Sequence, residues 1–253
     1  IEIDILSYNI HGLPTVFGKE QKQKIRQVIN KSASHQIIFY QENWIYQNKL
    51  FKNMLMGHSS YVGKESKYPK KLQKILNPNG SGLTTCVRKT YKVLSYKEIL
   101  FKDCSGYINK FNDCLASKGF QAMTILLPGP EKVDLYNLHL DAGEALSDKK
   151  ARKNQVNALS QYIKQTGMLH PIIIAGDFNM TLEDQDSTLY DFCKEFSFFN
   201  KHIESDLSIV DYIFIKSSTS LKINIVDYYI NKEFMGMSDH PAISVKLTFE
   251  SVK

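Results

Sequence analysis

The chain has 253 residues, 43% of them hydrophobic, with a formal charge of +6 and a sequence pI near 8.9. No Pro/Gly/Ser-rich linker, repeat or low-complexity tract interrupts it, so a single domain over residues 1–253 is expected. Its apolar runs fall far short of the roughly 20 residues that cross a bilayer, and the basic excess favours an anionic partner without choosing among nucleic acid, a phospholipid surface and a phosphorylated small molecule.

In chain order, Ile1, Ile3 and Ile5 alternate with Glu2 and Asp4, a strand pattern over Ile1 to Tyr8 that runs into Asn9-Ile10-His11-Gly12. Lys19 to Ser34 carries Ile25, Val28 and Ile29 at helical spacing. Ile37 to Tyr40 is a short strand followed at once by Gln41-Glu42-Asn43. Trp44 to Met56 reads as helix, Tyr61 to Gly82 as a basic loop, and Leu83 to Arg88 and Tyr91 to Leu100 as strands of a meander. Asp103 to Gly119 is irregular, Phe120 to Leu127 is a strand, and Lys132 to Leu138 is another that delivers His139. Ser147 to Thr166 is the clearest helix, with Ser147 and Asp148 offering N-cap side chains. Three isoleucines from Ile172 to Ile174 make a doubly buried strand that runs into Gly176, Asp177 and Asn179. If strand geometry persists there, Asp177 and Asn179 face the same way; a β-turn is the competing reading. Thr188 to Phe196 is a helix, Ile209 to Ile215 a strand carrying Asp211, and Leu221 to Val226 a strand. Ser238-Asp239-His240 precedes a last strand from Ala242 to Phe249. Most strands are joined by turns and several by helices, which points to two packed mixed sheets with helices outside.

Four cysteines show no Cys-x-x-Cys pair and no histidine at zinc-site spacing, which argues against structural zinc. Cys104 and Cys114 flank a loop-like segment and suit a disulfide in an exported protein, but buried free thiols are the preferred reading. The chain starts at Ile1, already in a strand pattern, so a targeting segment is expected to have been removed or never included, and a secreted location is preferred to a cytoplasmic one.

Five strands thus carry a polar residue at or beside a terminus: Asn9, Glu42, His139, Asp177 with Asn179, and Asp239 with His240, while Asp211 lies within a sixth. Each alone is equally well a turn, a cap or a core histidine; together they supply hard oxygen ligands and groups for proton transfer. Oxygen donors without thiolates point to Mg²⁺, with Mn²⁺ as a substitute, held by Glu42 and Asn9. Adjacent strand residues face opposite ways, so His240 is expected to meet Asp177 or Asp211 rather than Asp239. Such a set suits a phosphodiesterase or phosphatase.

Ser7-Tyr8-Asn9, Gln41-Glu42, Asn137-Leu138-His139, Gly176-Asp177-Phe178-Asn179, Asp211-Tyr212-Ile213-Phe214 and Ser238-Asp239-His240, in that order, resemble the signature of the endonuclease/exonuclease/phosphatase superfamily. The resemblance implies an α+β fold of DNase I type, a four-layer α/β/β/α sandwich of two mixed, mainly antiparallel sheets flanked by helices. It also implies that Glu42 and Asn9 hold the metal, that His139 and Asn179 contact the scissile phosphate, that His240 and Asp177 position or deprotonate water, and that Asp239 supports from outside. Asp113 to Phe120 resembles an Asp-x-Leu-x-x-Lys-Gly-Phe segment of neutral sphingomyelinases, which leans the reading to sphingomyelin, with Lys118 offsetting charge on the substrate. A phospholipid substrate met peripherally by a monomer is therefore expected. A nuclease, a phosphoinositide phosphatase and a binding module without catalysis are the alternatives. Phe196, Phe198, Phe199 and Phe234, the only candidates for dipping into a membrane, are expected to be core instead.

Overall fold

The computed structural model describes residues 1–12, 19–44, 54–67, 80–106, 113–184, 186–198 and 209–252. Two mixed sheets face each other. Sheet A contains β1 (Glu2–Gly12), β2 (Ile37–Asn43), β3 (His58–Val62), β4 (Thr84–Arg88), β10 (Leu221–Ile230) and β11 (Ile243–Ser251), in the order β10-β11-β1-β2-β4-β3. Sheet B contains β5 (Lys92–Leu100), β6 (Gly119–Leu126), β7 (Lys132–His139), β8 (Ile172–Asp177) and β9 (Asp211–Lys216), in sequence order. Among the described residues only β1 with β2 and β7 with β8 pair in parallel. Helix α1 (Lys19–Ser32) packs Ile25, Val28 and Ile29 on the outer face of sheet A. Helices α2 (Leu146–Gln165) and α3 (Thr188–Phe196) cover the outer face of sheet B, so the layers run α/β/β/α as expected.

Strand alternation explains how the middle layer is filled. Ile3 and Ile5 of β1, Ile37 and Phe39 of β2, Leu135 of β7, Ile173 of β8 and Ile213 and Ile215 of β9 meet between the sheets, while their neighbours Leu6, Ile38, Ile172 and Phe214 face the helices. Towards one end of the strands the same inward positions turn polar: Ser7 and Asn9, Gln41, Asn137 and His139, Asp177, Asp211. The site is therefore the polar end of a layer whose other end is apolar.

Several expectations shift. β3 lies partly inside the stretch read as loop, because its residues alternate too weakly to announce a strand. β1 continues through Gly12 instead of stopping at Tyr8. The N-cap of α2 is Ala145, not Ser147 or Asp148; Asp148 sits three residues in, where its carboxylate accepts the Ala145 N–H at 2.9 Å. Cys104 and Cys114 form a disulfide, so the free-thiol reading is corrected for them and holds for buried Cys86. Phe196 and Phe234 are buried and Phe198 packs against the cluster beneath α3, as expected of core residues. Phe199, most of the proposed helix from Trp44 to Met56, and the centre of the basic loop lie outside the described residues; Trp44 itself follows β2 without helical structure.

Candidate active site

Register assembles the floor of the site. His139 pairs with Asp177 across β7 and β8, and Asp177 pairs with Asp211 across β8 and β9, so three polar side chains form one row on sheet B. β8 must come close to β7 for this. A Cβ at Gly176, where φ is +152°, would lie 2.1 Å from the Leu138 carbonyl oxygen, so only glycine fits. Opposite stands Asn9 of sheet A, whose Nδ2 donates to Asp177 Oδ2 at 3.0 Å and whose Oδ1 accepts the His11 N–H at 3.0 Å.

Glu42 departs from alternation. Its parity in β2 would send it to the α1 face with Ile38 and Tyr40, yet its Oε1 lies 3.9 Å from His139 Nε2 on the facing sheet. A left-handed φ of 55° marks the break, matched by a φ of 48° at His11 where the β1–β2 register shifts. His11 Nδ1 stands 3.5 Å from Glu42 Oε2 and 3.3 Å from Asp239 Oδ1. The hydrogen bond with Glu42 raises the His11 pKa. Sequence reasoning gave His11 no role; its position two after Asn9, on the same strand face, was the available signal.

His240 fulfils both alternatives expected of it. Its Nδ1 lies 2.7 Å from Asp211 Oδ2, while its Nε2 lies 3.8 Å from Asp177 Oδ2. Asp239 points the other way, towards His11, and is exposed. Burial alone would lower the His240 pKa, but the hydrogen bond and charge of Asp211, joined by Asp177 and Asp239, push it up to about 10. Burial, then the neighbouring charge of Asp211, pushes Asp177 up to about 7, and burial likewise raises Asp211. His139 is fully enclosed, and burial, with the charges of Lys118 and His240, holds its pKa well below the usual histidine range. The ring of Trp44 leans on it, with centroids 6.1 Å apart.

Asn179 and Lys118 meet on one carbonyl. The strand ends at Asp177, and Asn179, with φ at 50°, lies in a turn that Asp177 Oδ1 fastens by accepting the Asn179 N–H at 2.9 Å. Strand and turn are thus both present. Asn179 Nδ2 donates to the Leu140 carbonyl at 3.0 Å, and Lys118 Nζ donates to the same oxygen at 2.8 Å. Lys118 is buried and paired with Asp113 at 2.6 Å, so its ammonium is turned to the wall of the site and not to open space for a substrate. Asp113 also accepts the Ala142 N–H at 3.0 Å, beside the Cys104–Cys114 disulfide.

Among the described residues a divalent cation has two candidate seats. Asp177, Asp211 and His240 offer ligand atoms within 4.8 Å of one another, but His240 is already bound to Asp211, and Asp177 to Asn9 and Asn179. Glu42 presents a largely buried carboxylate, its Oε2 3.5 Å from His11 Nδ1 and its Oε1 3.9 Å from His139 Nε2. With Asn9 it forms the hard oxygen set that suits magnesium.

Residues 6–207 match the model of the Endonuclease/Exonuclease/phosphatase family 2. A curated sphingomyelinase of Mycobacterium tuberculosis is 24% identical over 269 residues, covering 96% of this chain and 52% of that protein. The chain thus spans about half the length of the curated relatives it matches. Among solved structures, sphingomyelinase C from Streptomyces griseocarneus superposes with a TM-score of 0.71 at 13% identity, covering 97% of this chain and 99% of the other. D. rerio TDP2 complexed with a single-strand DNA product gives 0.71 at 17% identity, covering 98% and 99%. A Staphylococcus aureus beta toxin variant with bound magnesium ions gives 0.69 at 16% identity, covering 97% and 99%. These likenesses show the fold, and with the family model spanning most of its length the chain belongs to the endonuclease/exonuclease/phosphatase family.

Proposed function

We propose that the chain is a magnesium-dependent phosphodiesterase that hydrolyses sphingomyelin to ceramide and phosphocholine, meeting its phospholipid peripherally at a membrane surface. The observation that carries the reading is the Asp211–His240 pair at 2.7 Å, which leaves the second ring nitrogen of His240 towards Asp177 and across from Glu42 and Asn9. Glu42 and Asn9 would hold the cation, with Mn²⁺ as a substitute, and Asp239 would support them through His11. A bound magnesium ion supplies positive charge against the phosphoryl oxygens.

The chain's own groups do the rest. Asp211 fixes the ring of His240 by accepting from Nδ1, and its charge keeps that ring protonated, so the Nε2–H faces Asp177 and the Asp177 carboxylate takes the proton from the attacking water. A bond forms from that water oxygen to phosphorus as the bond from phosphorus to the ceramide oxygen breaks, and the ceramide oxygen takes up a proton from solvent to leave as the alcohol while the proton on Asp177 returns to solvent. Asn179 spends one amide hydrogen on Leu140 and keeps the other for a phosphate oxygen. His139, kept neutral, is a second uncharged contact. Lys118 acts through the Leu140 carbonyl it shares with Asn179.

The sphingomyelinase relatives and the Asp113 to Phe120 segment support sphingomyelin over the alternatives. A nuclease on the same scaffold is the second reading, favoured by the +6 charge and by the likeness to a structure that holds a DNA product. Phosphocholine release from sphingomyelin vesicles, compared with cleavage of single- and double-stranded DNA and of phosphoinositides, each with Mg²⁺ or with a chelator, separates them. Chelator-sensitive phosphocholine release is expected; cleavage of DNA or phosphoinositide without it would overturn the assignment.

A further inference from the structure

We propose that Gln41 and Asn137 are positioning residues, a buried amide link between the two sheets that holds Glu42 opposite His139; the inference rests on the functional reading above. Gln41 on β2 donates from Nε2 to Asn137 Oδ1 on β7 at 2.8 Å, and lies 3.4 Å from Ser7 Oγ on β1. Asn137 Nδ2 returns to sheet A, to the Tyr40 carbonyl at 3.2 Å, the Thr84 carbonyl at 3.3 Å and Thr85 Oγ1 at 3.3 Å. Thr85 in turn donates at 2.7 Å to Gln121 on β6, whose Nε2 reaches the Tyr61 and Leu83 carbonyls of sheet A's side at 3.0 and 3.3 Å. Gln41, Asn137, Thr85 and Gln121 are all buried. The belt therefore crosses the gap between the sheets at the level where the apolar layer stops and the site begins.

Packing alone does not require it. One step further along these strands the inward positions of the layer are Ile5, Phe39, Val87, Met123 and Leu135, and apolar side chains of matching volume in a core are commonly as stable as buried polar pairs or more so. Dispersion, however, tolerates a sliding of one sheet over the other that directional hydrogen bonds do not. Glu42 adjoins Gln41 and His139 is two residues beyond Asn137, so the belt sits one step behind both. Their 3.9 Å approach, and the 3.0 Å hydrogen bond from Asn9 of sheet A to Asp177 of sheet B, depend on the sheets staying in that relation.

The test replaces both amides, Gln41→Met with Asn137→Leu, and measures thermal unfolding, Mg²⁺ affinity by calorimetry, and kcat and KM on sphingomyelin vesicles. The double variant is expected to remain folded, to bind Mg²⁺ about tenfold more weakly and to lose on the order of 100-fold in kcat, as displacements of about 1 Å do, with KM little changed. A folded double variant with unaltered Mg²⁺ affinity and kcat overturns the proposal. If it does not fold, Thr85→Val decides: it removes only the hydroxyl linking Asn137 to Gln121, and unchanged Mg²⁺ affinity there overturns the role. A wild-type chain that binds no Mg²⁺ defeats the functional reading first and the positioning role with it.

Discussion

The two ends of the layer between the sheets are built from the same strands and filled with opposite chemistry. At one end Ile3, Ile5, Ile37, Phe39, Leu135, Ile173, Ile213 and Ile215 remove apolar surface from water, which stabilises the fold. At the other, the same inward positions carry Asn9, His139, Asp177 and Asp211, whose burial costs stability. Two carboxylates share that end with less than full solvation, and the raised pKa of Asp177 near 7 records the cost. The apolar end serves as a rigid anvil: it holds polar groups at distances they would not choose for stability alone.

Changes at the polar end should separate activity from stability most widely. Glu42→Gln, Asp177→Ala and His240→Ala are each expected to lower cation-dependent turnover by on the order of 10³-fold or more, while circular dichroism and the unfolding midpoint stay near wild type. Full activity in any of the three would remove that residue from the mechanism. The converse change belongs to the apolar end. Ile173→Ala, at a wholly buried position, is expected to cost about 2–5 kcal/mol in denaturant unfolding, with kcat per folded molecule within about twofold of wild type. A specific loss of kcat there would show that the two ends are not separable.

A smaller effect concerns two histidines outside both ends. His35 and His58 are buried beside the starts of β2 and β3, and burial lowers both pKa values below 6.5. Around His35 stand Asp4, Glu233 and His58, and beside His58 stands Arg88. A lowered histidine pKa means that the unfolded chain binds the proton more readily. Stability is therefore full above the unfolded value near 6.5 and falls as pH drops from there towards the folded values. Urea midpoints measured from pH 7.5 to 5 should decline below about 6.5, and His58→Gln should flatten the decline; an identical slope in that variant would assign it elsewhere.

Much of this is legible in the sequence. The period of two in Ile1 to Tyr8, the apolar run at Ile172 and the helical spacing in Ser147 to Thr166 mark real elements, because alternation and helical periodicity are local consequences of burying one face. His240 does pair with a carboxylate other than Asp239, as alternation predicts, although both residues sit in a bend ahead of β11 and not in a strand. Reading failed where a local rule was overridden. Nothing adjacent in sequence announces that Cys104 meets Cys114, that Asp148 and not Ser147 engages the start of α2, or that Lys118 is spent on Asp113 and Leu140.

The sequence by itself determined the alternating strands, the inventory of hard ligands and proton-transfer groups at their ends, and the membership of the family, since each is written in residue type and spacing. Only the tertiary structure decided which of those groups touch. Asn9 reaches Asp177 across 168 positions of chain, and His11 joins Glu42 and Asp239 where two left-handed residues break the alternation. Register and the packing of one sheet on the other set such contacts, and both are collective properties of many strands that no local pattern carries.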